Sequence, residues 1–286
     1  MSAPIRKVGL ILKRHDSRLS GIVADIIPWL QSRGISVYMD QTSAERYPGA
    51  EHGAPPEELA SQVDVVTVFG GDGTFLYAAR MVAATGVPIM GVNLGSLGFL
   101  TEVKLEEMHG AFEGLIAGRY SLEERALLEV EVQRETRVLA RYLALNDAVI
   151  NKGALARVIE IEVTVNGQPV TLTRSDGLII STPTGSTAYS LSAGGPIVFP
   201  TLEAFIITPI CPHTLTNRPV VVPDKVVLDV ILRRGSGVML TVDGQVGMPI
   251  VQGDSLKVRK SAASVRIVQP AGSTFFKLLR EKLKWG

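Results

Sequence analysis

The sequence predicts two domains, an α/β domain with a parallel sheet followed by a mostly antiparallel β domain. Over the first 120 residues, apolar runs of strand length alternate with segments whose apolar residues recur at helical spacing. After residue 120 the hydrophobic period changes from about 3.6 to about 2, as in strands with one buried face. With 286 residues, of which 46% are hydrophobic, the chain is long enough to bury two cores.

The α/β domain begins with an apolar strand from Val8 to Leu12. A helix follows, because its apolar residues fall at i, i+3, i+4, i+7, i+8 and i+11 between Leu19 and Leu30. Ile35 to Met39 is predicted to form a second strand, and residues 40–56 a polar loop long enough to cover a site.

A βαβ unit completes the predicted parallel sheet. It consists of a strand from Val63 to Phe69, a glycine-rich turn, a helix from Thr74 to about Ala84 and a strand from Pro88 to Val92. This arrangement puts Asp72 at the carboxyl end of a strand. A second glycine-rich loop, from Gly91 to Leu100, follows another strand and is expected to border the same cleft.

The second domain is predicted from alternating residues. Val130 and Val132 alternate with polar residues, as do the apolar residues from Ile159 to Val165, and Asn166-Gly167 is a hairpin turn. Further predicted strands are Lys225 to Leu232, Val238 to Val242, Ser255 to Lys260 and Ser264 to Val268. The tail from Thr274 to Trp285 returns to helical spacing and is expected to pack on the first domain. The predicted domains are therefore residues 1–122, completed by a helix in 270–286, and residues 123–269.

The turn Gly70-Gly71-Asp72-Gly73 is typical of phosphate chemistry. Glycines let backbone N–H groups approach a phosphate, and the following helix presents the positive end of its dipole. A carboxylate repels phosphate, so Asp72 indicates more than phosphate binding. It is needed where a hydroxyl must lose its proton while it attacks phosphorus. The alternative for these residues alone is a tight turn in which Asp72 caps a helix.

The segment from Ser175 to Pro196 concentrates hydroxyl side chains and glycines with one carboxylate, Asp176, and one tyrosine, Tyr189. Such groups suit a ligand with ribose hydroxyls and a planar base. The alternative is a serine- and threonine-rich surface loop.

Four motifs follow one another along the chain. They are Gly70-Gly71-Asp72-Gly73, Asn146-Asp147, Asp176-Gly177 before Thr182-Pro183-Thr184-Gly185-Ser186-Thr187-Ala188-Tyr189, and Pro212-His213-Thr214-Leu215-Thr216-Asn217-Arg218-Pro219. In this order they resemble the NAD kinases, and the resemblance extends from about residue 5 to the last residue. It implies an α/β domain with a Rossmann-like parallel sheet and a C-terminal β-sandwich. It also implies transfer of the terminal phosphoryl group of ATP, or of inorganic polyphosphate, to the 2′-hydroxyl of the adenosine ribose of NAD, which gives NADP.

The resemblance further implies roles for individual residues. Asp72 is the expected general base, beside the phosphate-binding glycines of its turn. Asn146 and Asp147 match a ribose-binding pair that more often reads Asn-Glu in the family. Asp176 is expected to accept a hydrogen bond from an amide or amine of the dinucleotide, and Tyr189 to stack on a base. The other expected contacts to the dinucleotide are Arg157, Arg174, Thr187, Ala188, Ser190, Leu191, Ser192 and Gln245.

Composition narrows the cofactors, partners and location. The four histidines show no metal-ligand spacing, so Mg²⁺ is expected to arrive with the nucleotide and not in a protein cage. A net charge of +1 provides no general field for nucleic acid or an anionic membrane. Cys211 is the single cysteine, expected to be buried, and fits a reducing compartment, so a cytoplasmic enzyme is predicted. Members of the family are usually homodimers or homotetramers.

Three other functions share part of this pattern. Lipid kinases of the diacylglycerol type and phosphofructokinases also carry a Gly-Gly-Asp-Gly turn. The string from Thr182 to Tyr189 argues against a lipid substrate, and the arginine-rich contacts of a sugar phosphate are not evident. A non-catalytic NADP-binding sensor is the third alternative, against which the intact Asp72 argues.

Overall fold

The computed structural model describes residues 4–50, 52–153, 157–214, 216–270 and 272–285. Within these ranges the chain forms two compact units. Unit 1 contains the residues up to Glu124 and those from Val265 onward, and unit 2 runs from Arg125 to Ser264. Of the predictions above, those for Glu51 and Leu215 fall outside the described residues.

The strands and helices follow one another along the chain. Up to residue 134 they are β1 (Lys7–Leu12), α1 (Leu19–Gln31), β2 (Ser36–Asp40), α2 (Gln41–Arg46), β3 (His52–Ala54), α3 (Pro56–Leu59), β4 (Val65–Gly70), α4 (Asp72–Val82), β5 (Ile89–Asn93), β6 (Val103–Lys104), α5 (Met108–Ile116) and β7 (Tyr120–Arg134). The later elements are β8 (Arg137–Ala144), β9 (Asp147–Lys152), β10 (Ile159–Val165), β11 (Gln168–Ser175), β12 (Gly177–Ser181), α6 (Tyr189–Ser192), β13 (Ala204–Ile210), β14 (Val220–Pro223), β15 (Leu228–Arg234), β16 (Val238–Val242), β17 (Val246–Ile250), β18 (Ser255–Pro270) and α7 (Phe275–Leu283).

Unit 1 contains the predicted parallel sheet, in the strand order β3-β2-β1-β4-β5. The side chains of β1 and β4 are buried almost throughout, as expected for strands covered on both faces. α1 buries the apolar stripe from Leu19 to Leu30 against this core. β6 and the end of β18 pair in parallel with β5. Gly70 at the end of β4 is the register partner of Asn93 at the end of β5, so the segments that follow the two strands begin side by side.

Two local predictions for unit 1 are wrong. Residues 40–56 are not a loop, since they contain α2 and β3. The Asp40 carboxylate accepts hydrogen bonds from the Ser43 amide at 3.0 Å and from the Ser43 hydroxyl at 2.5 Å, which caps α2. β3 then pairs in parallel with β2. α4 begins at Asp72 and not at Thr74, because Gly71 is its N-cap.

Unit 2 is a sandwich of antiparallel strands. β11, β10, β15 and the first part of β18 pair in that order, and β7 forms a hairpin with β8. The second sheet has the order β14-β13-β12-β9-β16-β17. Inward-facing residues of both sheets form one core, which includes Val130, Ile161, Ile180, Phe205 and Leu240. The predicted antiparallel β domain is confirmed, as is its hairpin at residues 166–167.

The two strands predicted at residues 255–260 and 264–268 form the single strand β18. Residues 261–263 contain neither glycine nor proline, so nothing in the backbone ends the extended conformation between them. One end of β18 belongs to unit 2, where it pairs with β15, and the other belongs to unit 1, where it pairs with β5.

A matched pair of substitutions tests the packing of the glycine turn. A Cβ on Gly70 would lie 2.5 Å from Thr74 Oγ1 and 2.7 Å from Thr74 Cβ, whereas a Cβ on Gly71 meets nothing within 4 Å. We expect Gly70→Ser to lower the free energy of unfolding by about 1 to 3 kcal/mol, because the added atom overpacks the turn. Serine is a good N-cap residue, so Gly71→Ser should change the free energy of unfolding by less than about 0.5 kcal/mol. Urea unfolding of both variants measures this, and equal losses would contradict the predicted packing.

Candidate active site

Asp72 lies where the buried strand β4 gives way to α4. It is the first residue of the helix, and its N-cap Gly71 has extended dihedral angles, with φ −117° and ψ −172°. Its carboxylate therefore belongs to the first turn, where the positive end of the helix dipole stabilises negative charge. Asp72 is not the capping residue of the alternative interpretation.

The Asp72 carboxylate contacts the segment after β5, which we call the 94–101 loop. Oδ2 accepts a hydrogen bond from the Phe99 amide at 3.0 Å. Oδ1 accepts from the amides of Leu100 at 3.1 Å and Thr101 at 3.2 Å, and from Thr101 Oγ1 at 3.2 Å. Four donors from one loop hold this carboxylate in a single orientation.

The 94–101 loop is itself supported by Asn93, the last residue of β5. Asn93 Nδ2 donates to the Ser96 carbonyl and to Thr101 Oγ1, both at 2.8 Å, and its Oδ1 accepts from the Gly95 amide at 2.5 Å. The sequence predicts that this loop borders the cleft of Asp72, but it does not predict the roles of Asn93 and Thr101. An asparagine at the end of a parallel strand was the available signal.

In unit 2, Asn146 and Asp147 lie at a tight connection between β8 and β9. Asp243 organises this connection, because its carboxylate accepts hydrogen bonds from the amides of Leu145 at 3.0 Å, Asn146 at 2.8 Å and Asp147 at 3.2 Å. The Asp243 amide in turn donates to the Asp147 carbonyl at 2.9 Å. The sequence alone does not reveal this role of Asp243, since a partner 96 residues away leaves no local pattern.

The Asp147 side chain is only 5% exposed. This burial, with the nearby negative charge of Asp243, raises the pKa of Asp147 to about 7. At neutral pH its protonated and ionised forms therefore coexist, and the protonated form donates a hydrogen bond as well as accepting one.

The segment from Ser175 to Pro196 is not a surface loop. It forms β12, a 3₁₀-helical turn at Thr184–Thr187 and the short helix α6. Several of its hydroxyl groups are buried and bonded internally: Thr182 Oγ1 donates to the Leu145 carbonyl at 2.5 Å, and Ser190 Oγ lies 2.9 Å from Thr208 Oγ1. Tyr189 is 40% exposed, so its ring is available to a ligand. Of the other predicted contacts here, Thr187, Ala188 and Leu191 are half-buried and Ser192 is exposed.

Arg157, Arg174 and Asp176 surround one cavity of about 550 Å³. Asp176 Oδ1 is 3.5 Å from Lys152 Nζ, and Arg174 Nε is 3.4 Å from Glu160 Oε1. Lysine and arginine outnumber carboxylates in the lining by four to two, which favours an anionic ligand. The remaining polar lining residues are Lys152, Glu160 and Arg234, which the sequence did not predict, and His213, which belongs to the fourth motif but was not predicted as a contact.

The predicted residues of unit 2 fall into two groups, at opposite ends of the strand pair β9 and β12. Asp147 is the register partner of Ser181, the last residue of β12, whereas Asp176 directly precedes its first residue. The two aspartates are thus separated by roughly 16 Å along the strands, at about 3.3 Å per residue. Gln245 is exposed in the turn after β16, at the Asp147 end.

Other observations bear on cofactors and location. Within the described ranges, no group of three or more His, Cys, Asp and Glu side chains could hold a metal ion. None of the described helices is long and apolar enough to cross a membrane. Cys211 is exposed, contrary to expectation, because it occupies a turn after β13 with φ +45°.

Comparisons with known proteins agree over both units. Residues 8–120 match the family model described as the ATP-NAD kinase N-terminal domain, and residues 145–270 match that of the ATP-NAD kinase C-terminal domain. The chain is 47% identical to an NAD kinase of Geobacter sulfurreducens over 283 residues, 99% of each chain. It is 46% identical to an NAD kinase of Koribacter versatilis over 284 residues, again 99% of each.

Two solved structures of NAD and NADH kinases are similar to this chain over nearly its whole length. A yeast NADH kinase complexed with NADH has a TM-score of 0.92 and 27% identity, covering 99% of this chain and 89% of that one. An NAD kinase from Archaeoglobus fulgidus in complex with ATP has a TM-score of 0.77 and 26% identity, covering 98% and 100%.

The raised pKa of Asp147 makes stability depend on pH. An Asp carboxyl in the unfolded chain has a pKa of about 3.9, whereas in the fold the pKa of Asp147 is about 7. The folded state therefore binds more protons between these values, so this group's contribution to stability is lost as pH rises through that window. Asp147→Asn carries no charge, and we expect it to gain stability relative to the parent chain between pH 5 and pH 8, by on the order of a few kcal/mol.

Asp254→Asn is the matched control, measured by denaturant unfolding at both pH values. The hydrogen-bonded Arg134 guanidinium holds the pKa of Asp254 below its usual range, so that carboxylate stabilises the fold above about pH 4. Asp254→Asn should therefore be less stable than the parent chain at pH 5 and pH 8 alike. If Asp147→Asn behaved in the same way, the proposed protonation of Asp147 would be wrong.

Proposed function

The chain belongs to the NAD kinase family and phosphorylates NAD to NADP with ATP, and we propose that Asp72 is the general base of this reaction. The observation that carries the proposal is the position of its carboxylate, oriented by four donors at the N-terminus of α4. The 2′-oxygen of the adenosine ribose forms a bond to the terminal phosphorus of ATP while the bond from that phosphorus to the bridging oxygen of ADP breaks. The hydroxyl proton passes to Asp72.

The turn of Gly70, Gly71 and Gly73 is proposed to accommodate the phosphates of ATP. α4 has 11 residues, so its N-terminus carries a full helix dipole, which favours phosphate charge. The space that a Cβ on Gly71 would enter is open, so a phosphate can approach the backbone there. ATP enters as its Mg²⁺ complex, in which the ion offsets phosphate charge and retains most of its water.

Unit 2 is proposed to bind the dinucleotide, within the domain assigned to residues 123–269; the catalytic domain is then 1–122 with the helix in 270–286. Asn146 and Asp147 bind ribose hydroxyls, with the connection held in shape by Asp243. The exposed ring of Tyr189 stacks on a base, and Thr187, Ala188, Leu191 and Ser192 lie beside it in sequence. Ser190 contributes through the fold, since its hydroxyl faces Thr208.

The cation-rich cavity of Arg157, Arg174 and Asp176 is proposed to bind a part of the dinucleotide different from that bound by Asp147, because the strand pair separates them. One dinucleotide contacts both groups of residues in one of two ways. Either it extends along β12, or the two groups that bind it belong to different copies of the chain. We propose a homodimer or homotetramer, which the exposed Leu172 on edge strand β11 and Val221 on edge strand β14 support. A cytoplasmic location is part of the same proposal.

Replacing the base tests the proposal directly. Asp72→Asn preserves the shape of the side chain and removes the proton acceptor, so we expect turnover to fall by roughly 10²- to 10⁴-fold with NAD binding retained. NADP formation is followed with a glucose-6-phosphate dehydrogenase read-out, and NAD binding by calorimetry. Asp40→Asn changes another helix-associated aspartate of unit 1 and should leave turnover unchanged. Near-parental turnover of Asp72→Asn would remove Asp72 from the mechanism.

Tyr189→Ala tests base stacking. We expect the affinity for NAD to fall by about 1 to 3 kcal/mol, the range for a base stacked on an aromatic ring, while the KM for ATP changes less. Phe199→Ala is the control, because Phe199 is also 40% exposed and lies in the same unit. Equal losses for both substrates, or a lower Tm without ligand, would instead assign Tyr189 a structural role.

A further inference from the structure

The two oxygens of the Asp72 carboxylate have unequal numbers of donors. Oδ1 accepts three hydrogen bonds, from the amides of Leu100 and Thr101 and from Thr101 Oγ1. Oδ2 accepts one, from the Phe99 amide. A carboxylate offers about two acceptor sites on each oxygen. Within the described contacts Oδ1 is therefore saturated, whereas Oδ2 has one acceptor site left.

The direction of the hydrogen bond from the Thr101 hydroxyl follows from its second partner. The Nδ2 group of Asn93 can only donate, so Thr101 Oγ1 accepts from it at 2.8 Å. The single hydroxyl proton of Thr101 is then directed to Asp72 Oδ1 at 3.2 Å. The assignment of Nδ2 is fixed in turn, because Asn93 Oδ1 accepts from the Gly95 amide and Nδ2 donates to the Ser96 carbonyl.

These groups are buried and closely packed. Thr101 is 0% exposed and Asn93 is 5% exposed, so water does not compete for either side chain. Gly98 is packed against the same carboxylate, and a Cβ there would overlap both Asp72 Oδ1 and Thr101 Oγ1. Glycine at position 98 thus leaves the space in which Thr101 contacts Asp72.

We propose that Thr101, oriented by Asn93, is a positioning residue that anchors Oδ1 of Asp72 and leaves Oδ2 as the oxygen that receives the proton of the ribose hydroxyl. This proposal rests on the proposed role of Asp72 as the base. The O–H bond of the ribose hydroxyl breaks, its proton is bound by Oδ2, and its oxygen bonds to the terminal phosphorus of ATP as ADP leaves. Thr101 exchanges no proton in this step.

The test compares Thr101→Val with Thr101→Ser. Valine keeps the branched shape and the backbone amide but removes the hydroxyl, so we expect kcat to fall by about tenfold to a hundredfold with the KM for NAD unchanged, as for a misplaced reacting group. Serine keeps the hydroxyl and should restore most of kcat. Thr67→Val is the matched control, because Thr67 is also 0% exposed in unit 1 and its hydroxyl has no hydrogen-bond partner. If Thr101→Val does not fold, Thr101→Ala is compared with Thr101→Ser in the same way.

A double variant separates positioning from a merely structural effect. If Thr101 acts through Asp72, adding Thr101→Val to Asp72→Asn should cause no further loss of kcat. A parental kcat for Thr101→Val, no rescue by serine, or additive losses in the double variant would each overturn the proposal while leaving Asp72 as the base. Parental turnover of Asp72→Asn alone would instead overturn the proposed function, and this inference with it.

Discussion

In each unit, a carboxylate that accepts hydrogen bonds from consecutive backbone N–H groups holds a loop with candidate functional residues in shape. Asp72 does this for residues 99–101 in unit 1, and Asp243 does it for residues 145–147 in unit 2. In both cases one side chain satisfies several amides of a segment that lies between two elements or, at Asp147, at the first residue of a strand. The loops that carry the candidate residues therefore depend on these carboxylates for their backbone hydrogen bonds, while Leu100 and Leu145 in the same loops are buried.

The two carboxylates differ in what surrounds them. Asp72 is half-buried at a helix N-terminus and accepts hydrogen bonds from a hydroxyl group as well as from backbone amides. Asp243 is almost fully buried and lies close to a second acid, Asp147, whose pKa is raised by its own burial and by the charge of Asp243. In unit 2 the Asp243 carboxylate thus lies beside an acid that is partly neutral at physiological pH.

Sequence analysis could predict the features that repeat along the chain or occupy adjacent positions. The periods of α1 and β10 predict helix and strand, and the glycine turn before α4 predicts the position of Asp72. It could not predict the roles of Asp243, Asn93 and Thr101, because hydrogen bonds to backbone amides require no particular residue type in the partner segment. The helix α2 was missed for a related reason, since its cap, Asp40, lay in a stretch whose polar composition resembled a loop.

The discontinuity of unit 1 has a consequence for how the chain folds during synthesis. Ile267 of β18 pairs with Ile89 of β5, so this contact closes only after the whole of unit 2 has been translated. Residues 125–264 are contiguous and can fold as soon as they leave the ribosome. The pairing of β18 with the edge of β5 and the packing of α7 form later, because contacts between residues far apart in sequence form slowly. A nascent chain is therefore expected to have a folded β-sandwich while its α/β unit still lacks a strand and a helix.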